Sequence, residues 1–187
     1  NLENNKFLLE NLLQWSYTQL GYARVQLETV ELKSLSEESI QLYKGLADKK
    51  NISLELKNQT ILLCKADEGI IRLLLRNLIN NAIKFTKKGG LIEISYGRRK
   101  SLNFICLKDN GIGITKKNRE LLFHETKNPK SSKGTEGESG IGIGLTLCKD
   151  FANRMNGTIK VNSKVNKGST FIVEWDENDS EKSITSG

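Results

Sequence analysis

Apolar positions change their period several times along the chain, and those changes mark its elements. Over residues 2–20, Leu2, Leu9, Leu13 and Leu20 fall on one helical stripe, which Leu8, Leu12 and Trp15 widen. Such a face on a terminal helix calls for a partner helix, and Gly21 stops it. A second amphipathic helix is predicted over 32–48. At Ile52, Leu54 and Leu56 the period drops to two, a half-buried strand. Asn58-Gln59 reads as a turn, with residues 61–64 returning as its hairpin partner. Asp67 stands where an N-cap belongs, ahead of a helix reaching Phe85. Strands follow over 91–96 and 102–107. The stretch 115–139 is polar and holds the only proline, Pro129; a connection this long reads as a lid or as disorder. A helix over 143–156 closes on Gly157 as its C′ residue, and strands over 158–162 and 169–175 form a hairpin around Asn166-Lys167-Gly168. The order predicts an α+β fold, a two-layer sandwich with helices on one face of a mostly antiparallel sheet.

Composition narrows the function classes. In 187 residues there is room for one good core. No uninterrupted apolar run of about 18 residues would span a membrane, and no leader-like apolar stretch opens the chain. Cys64, Cys106 and Cys148 stand singly, without the spacing of a zinc site or disulfide framework. They read as small buried hydrophobes in a reducing compartment. The net charge of +7 invites nucleic acid, but the cations are spread over the chain and aromatics make up only 6%. A solvated surface with some attraction for an anionic ligand explains the charge without it.

Three constellations carry chemistry. On the helix ending at Phe85, Asn77, Asn81 and Lys84 lie within roughly 60° of one another at ~100° per residue. Carboxamide oxygens suit Mg²⁺, and a lysine one turn on would meet phosphates; taken alone, however, the face reads better as the solvated side of a surface helix. Second, Asp109-Asn110-Gly111-Ile112-Gly113-Ile114 follows a strand directly. A carboxylate there can accept from an exocyclic amine such as adenine's. The glycines allow a flat ring close to the backbone, and Ile112 and Ile114 offer apolar walls. Third, Gly140-Ile-Gly142-Ile143-Gly144-Leu145 opens a helix, where exposed N–H groups and the helix dipole favour phosphate. It is neither a dinucleotide fingerprint nor a Walker loop, lacking a preceding strand and a Gly-Lys-Ser/Thr ending.

Taken in order, these segments resemble the N, G1 and G2 boxes of the GHKL ATPases, which include gyrase, the 90-kDa heat-shock chaperones, mismatch-repair ATPases and histidine kinases. The wording is closest to the catalytic (HATPase_c) domain of bacterial sensor histidine kinases, with Lys167-Gly168-Ser169-Thr170-Phe171 resembling its last strand pair. The resemblance implies ATP and Mg²⁺ as ligands. Asn81 would coordinate the metal with Asn77 in support, Lys84 would contact phosphate, and Phe85 would line the site. Asp109 would accept the adenine amine, Gly111 and Gly113 would admit the ring, and Gly140, Gly142, Ile143, Gly144 and Leu145 would hold the phosphates. Thr170 would complete the base pocket. Hydrolysing relatives carry glutamate where Asn77 stands, and an amide is no base for water; transfer is implied rather than hydrolysis. The three boxes are shared by anti-sigma-factor serine kinases, which the broad apolar N-terminal stripe disfavours. A module that keeps the fold without catalysis is the other alternative.

The resemblance also implies an organisation. Residues 1–22 would end a dimerisation domain, 23–31 would be a linker, 32–176 the ATP-binding domain with a lid at about 115–139, and 177–187 a flexible tail. His124, the only histidine, follows the G1 box and does not match the phosphoacceptor, which would lie on a dimerisation helix outside this chain. The expected partners are that dimerisation domain, in a homodimer, and a response-regulator receiver domain, in the cytoplasm. The aromatic expected a few residues after Phe123 is absent.

Overall fold

The computed structural model describes residues 25–122, 134–137 and 144–176. The predicted helix over 2–20, the tail, His124 and Gly140, Gly142 and Ile143 lie outside them. The elements are β1 (Glu28–Glu31), α1 (Leu32–Lys49), β2 (Ser53–Leu56), β3 (Leu63–Ala66), α2 (Glu68–Phe85), β4 (Leu91–Arg99), β5 (Leu102–Asp109), α3 (Lys116–Leu121), α4 (Gly144–Arg154), β6 (Gly157–Lys164) and β7 (Gly168–Asp176). A five-stranded sheet runs β2-β4-β5-β7-β6, and β1 with β3 forms a separate ribbon. Only β2–β4 is parallel. This is the α+β sandwich expected.

Period-two alternation decides which face is covered. Ile92, Ile94, Tyr96, Ile105, Leu107, Phe171, Val173 and Trp175 are buried beneath the helices. Their neighbours in sequence face outward, where Glu93 pairs with Lys57 and Lys108, and Glu174 with Lys160. Helix α2 is flanked by α1 and α4 and lies over the sheet, so apolar side chains surround most of it. Asp67 caps it as predicted: Oδ1 accepts from Ile70 N at 3.0 Å, and Oδ2 accepts from Gln26 N at 2.8 Å.

The structure replaces the predicted 52–64 hairpin. Strand β2 pairs with β4 instead, because Asn58 prolongs the ladder where a turn was read. Its Nδ2 donates to Tyr96 O at 2.9 Å, and its Oδ1 accepts from Tyr96 N at 3.2 Å. Beyond it, β3 pairs with β1, inside the stretch read as linker. Trp175 ties the ribbon to the main sheet, its Nε1 donating to Lys65 O at 3.1 Å. At the end of α4 the left-handed residue is Asn156, at φ 53°, and Gly157 already opens β6. A side chain at 157 would meet Glu174 O at 2.4 Å, so close strand contact requires this glycine. Within the polar stretch, Thr115 caps the short α3, its Oγ1 accepting from Asn118 N at 3.2 Å.

Thr86, just past α2, is fully buried, and its hydroxyl has no hydrogen-bond partner among the described residues. An unpaired buried hydroxyl costs its desolvation, whereas valine keeps the shape. Thr86→Val is expected to stabilise the chain by about 1 kcal/mol. In urea the midpoint should rise with the slope unchanged; a fall would mean that the hydroxyl has a partner in solution.

Candidate functional site

Helix α2 supplies the first side. Asn77 is 2% exposed, and its Nδ2 donates to Leu73 O one turn back, at 3.0 Å. That bond turns Oδ1 away from its own helix and towards the first residue of α4. A Cβ built on Gly144 would sit 2.8 Å from Asn77 Oδ1 and 4.0 Å from Asn81 Nδ2. Residues far apart in sequence therefore meet, and only a glycine fits between them. Asn81 and Lys84 are half-buried beside them, with the Lys84 ammonium 4.9 Å from the centre of the Phe85 ring. Leu145 follows Gly144 in the first turn of α4, where backbone N–H groups lack helical acceptors.

Strand β5 supplies the second side. Its last residue, Asp109, is 5% exposed. Oδ1 accepts from Gly111 N at 2.9 Å and from Ser169 N at 3.2 Å. Burial pushes this carboxyl above its ordinary range, and the two N–H donors pull partly against that. Both donors are on Oδ1, which leaves Oδ2 for a donor from outside.

The turn that follows is fixed by its neighbours. Ile112 N donates to Phe85 O at 3.0 Å, Asn166 N to Ile112 O at 2.7 Å, and Ile114 N to Ser163 Oγ at 2.8 Å. A Cβ at Gly111 would lie 2.4 Å from Phe85 O, and one at Gly113, where φ is 68°, would lie 2.1 Å from Lys164 O. Both glycines thus serve contacts within the protein, at the end of α2 and the β6–β7 turn. Ile112 and Ile114 are half-buried, and Ile114 packs on the core.

Thr170 lines a cavity with Asp109, but it is not the residue opposite the carboxylate. In the β5–β7 register, Asp109 lies opposite Ser169, whereas Thr170 pairs with Lys108 and Asn162 on the outward face. Ser169 is buried and shares its hydroxyl with Ser163 Oγ at 3.0 Å. It is the residue that sequence reasoning missed. The signal was available: Phe171, Val173 and Trp175 point inward, so 169 must do so too.

A Mg²⁺ ion fits the donor set through carboxamide oxygen, a hard ligand, provided that phosphates and water complete its shell. Among the described residues no group of three His, Cys, Asp or Glu side chains would hold a metal.

Residues 66–179 match the model of the histidine kinase-, DNA gyrase B- and HSP90-like ATPases. The chain belongs to this family. Among relatives, the ATPase-family chain is 29% identical over 170 residues to the sensor-like histidine kinase SenX3 of Mycolicibacterium smegmatis, covering 91% of this chain and 44% of SenX3. It is 33% identical over 166 residues to the adaptive-response sensory kinase SasA of Crocosphaera subtropica, covering 88% and 43%. It thus spans less than half the length of these relatives. Among solved structures it resembles the catalytic domain of the histidine kinase ThkA, with a TM-score of 0.68 at 26% identity over 81% of this chain and 96% of that one. ThkA is also solved with the response regulator TrrA, a likeness of TM-score 0.67 at 22% identity covering 92% and 49%. ATP is the nucleotide of the ATPase family. No helix among the described residues is long and apolar enough to cross a membrane.

Proposed function

We propose that this chain is the ATP-binding catalytic part of a sensor histidine kinase, passing the γ-phosphoryl group of ATP to a histidine on a dimerisation helix. The observation that carries the reading is the apposition of Asn77, Asn81 and Gly144 at the start of α4. It sets carboxamides from one helix against the N-terminus of another, an arrangement suited to a phosphate chain.

Each residue then has a task. Asp109 accepts the adenine amine on Oδ2 while its Oδ1 is held by the backbone, and Ser169 lies on the same face. Lys84 meets phosphate oxygens, and the N–H groups of Gly144 and Leu145 donate to further phosphate oxygens. Asn81, supported by Asn77, would hold Mg²⁺, which when bound neutralises charge on the phosphates. No carboxylate occupies position 77, so water is not activated. The nucleophile is the acceptor imidazole: a nitrogen–phosphorus bond forms, the bond from the γ-phosphorus to the bridging oxygen breaks, and ADP leaves. Relay to a response-regulator aspartate in the cytoplasm, within a homodimeric parent, completes the proposed role. Nucleic acid has no part in it.

The test is transfer in trans. The chain, a separate acceptor-helix hairpin and Mg·ATP labelled at the γ position are incubated together. Label that enters the acceptor and is lost in acid but kept in base is expected, as for phosphohistidine. Acid-stable label would point to a serine kinase, and no label with nucleotide bound would point to a non-catalytic module.

A further inference from the structure

The C-terminal end of a helix leaves four carbonyls without helical donors. At the end of α2, distant segments satisfy three of them. Ala82 O is taken locally, by Thr86 N at 2.9 Å. Ile83 O accepts from Lys50 Nζ at 2.8 Å. Lys84 O accepts from Thr135 N at 3.0 Å and from Lys50 Nζ at 3.4 Å. Phe85 O accepts from Ile112 N at 3.0 Å. The end of α2 is thus a junction where the residue after α1, the turn after β5 and residues 134–137 all dock.

Lys50 is central to it. The residue is 4% exposed, although lysine seldom surrenders its hydration without acceptors. It donates to Thr135 Oγ1 at 2.7 Å, and that hydroxyl lies 3.0 Å from Thr86 O as donor. A cation here also faces the negative end of the α2 dipole. Capping alone would not require the side chain that follows α1 to reach the 134–137 segment as well. Lys50 bonds both the helix and that segment, and the carbonyl they share belongs to Lys84.

We infer that Lys50 is a positioning residue of the nucleotide site, latching Thr135 onto the carbonyl of Lys84 so that residues 134–137 and the phosphate-facing lysine hold one register. The inference rests on the nucleotide reading above. It deepens that reading by tying phosphate recognition, and not base recognition, to a buried lysine outside the three boxes. The base reader Asp109 is fixed separately, by Gly111 N and Ser169 N.

The experiment compares the whole chain with Lys50→Met, Thr135→Val and Thr135→Ser. Without ligand, the Thr135 amide should exchange with deuterium at least about tenfold faster in Lys50→Met, because its bond to Lys84 O opens more often. Thr135→Val, which keeps the backbone bonds if Lys50→Met folds poorly, should bind a non-hydrolysable Mg·ATP analogue about tenfold more weakly. It should bind adenosine within about twofold of the parent, and Thr135→Ser should restore the analogue. Equal weakening of both ligands, or of neither, overturns the inference, since a merely structural role moves both alike. A parent chain that binds neither ligand overturns the nucleotide reading and this inference with it. That outcome is distinct from a parent that binds and variants that match it.

Discussion

Asp109→Asn is expected to weaken ATP binding by about a hundredfold or more while making the free chain more stable. The two effects share one cause. The carboxylate is buried, and Oδ1 is bonded by Gly111 N and Ser169 N, so only Oδ2 is left for the adenine amine of the proposed site. An asparagine must put its single oxygen where Oδ1 was, to keep those two donors. Its Nδ2 then stands where Oδ2 accepted, and donor faces donor against the adenine amine. The buried donor left unpaired carries the loss. A base presenting an oxygen at that position, as in inosine triphosphate, should lose much less.

The stability gain follows from burial. Folding raises this carboxyl's pKa, so the folded chain keeps its proton to higher pH than the unfolded one. Asp109 therefore costs stability above the raised value, and the cost fades as pH falls towards the ordinary 3.8. Asp109→Asn should melt higher at pH 7, by an amount worth about 1 kcal/mol, and the difference should shrink in acid. Unchanged nucleotide affinity in calorimetric titration would remove Asp109 as the base reader.

What the sequence made legible was local. The stop at Phe85, the Asp67 cap and the β6–β7 turn each depend on residues a few positions apart, and each stands as read. Pairings that depend on distant partners were not legible. Strand β1 is four residues long and takes its register from β3, over thirty residues away. No period can show in so short a stretch. Asn58 reads as a turn former by propensity, and only the position of Tyr96 turns it into a rung of the ladder. Lys50 looks like one more surface lysine, and its partner Thr135 lies 85 residues on. Ser169 is different in kind: its inward direction follows from the strand's own alternation, and the resemblance to known motifs drew attention to Thr170 instead.

Gly144→Ala is expected to lower Mg·ATP affinity and phosphoryl transfer about a hundredfold without unfolding the chain. Alanine is the better helix former, so α4 itself should not suffer. The loss comes from the neighbour. A methyl group at 144 would lie 2.8 Å from Asn77 Oδ1. Asn77 cannot swing aside cheaply, because it is buried and its Nδ2 is bonded to Leu73 O. Either α4 backs away, taking its N-terminal N–H groups off the phosphates, or the carboxamide is displaced from its place beside Asn81. Combining the variant with Asn77→Ala separates this contact from a general effect on the helix. Asn77→Ala alone should weaken the site, but adding Gly144→Ala to it should cost less than about threefold more, because the crowded oxygen is gone. If the two losses multiply instead, the apposition of α2 and α4 is not what the glycine protects, and the phosphate site must be built without it.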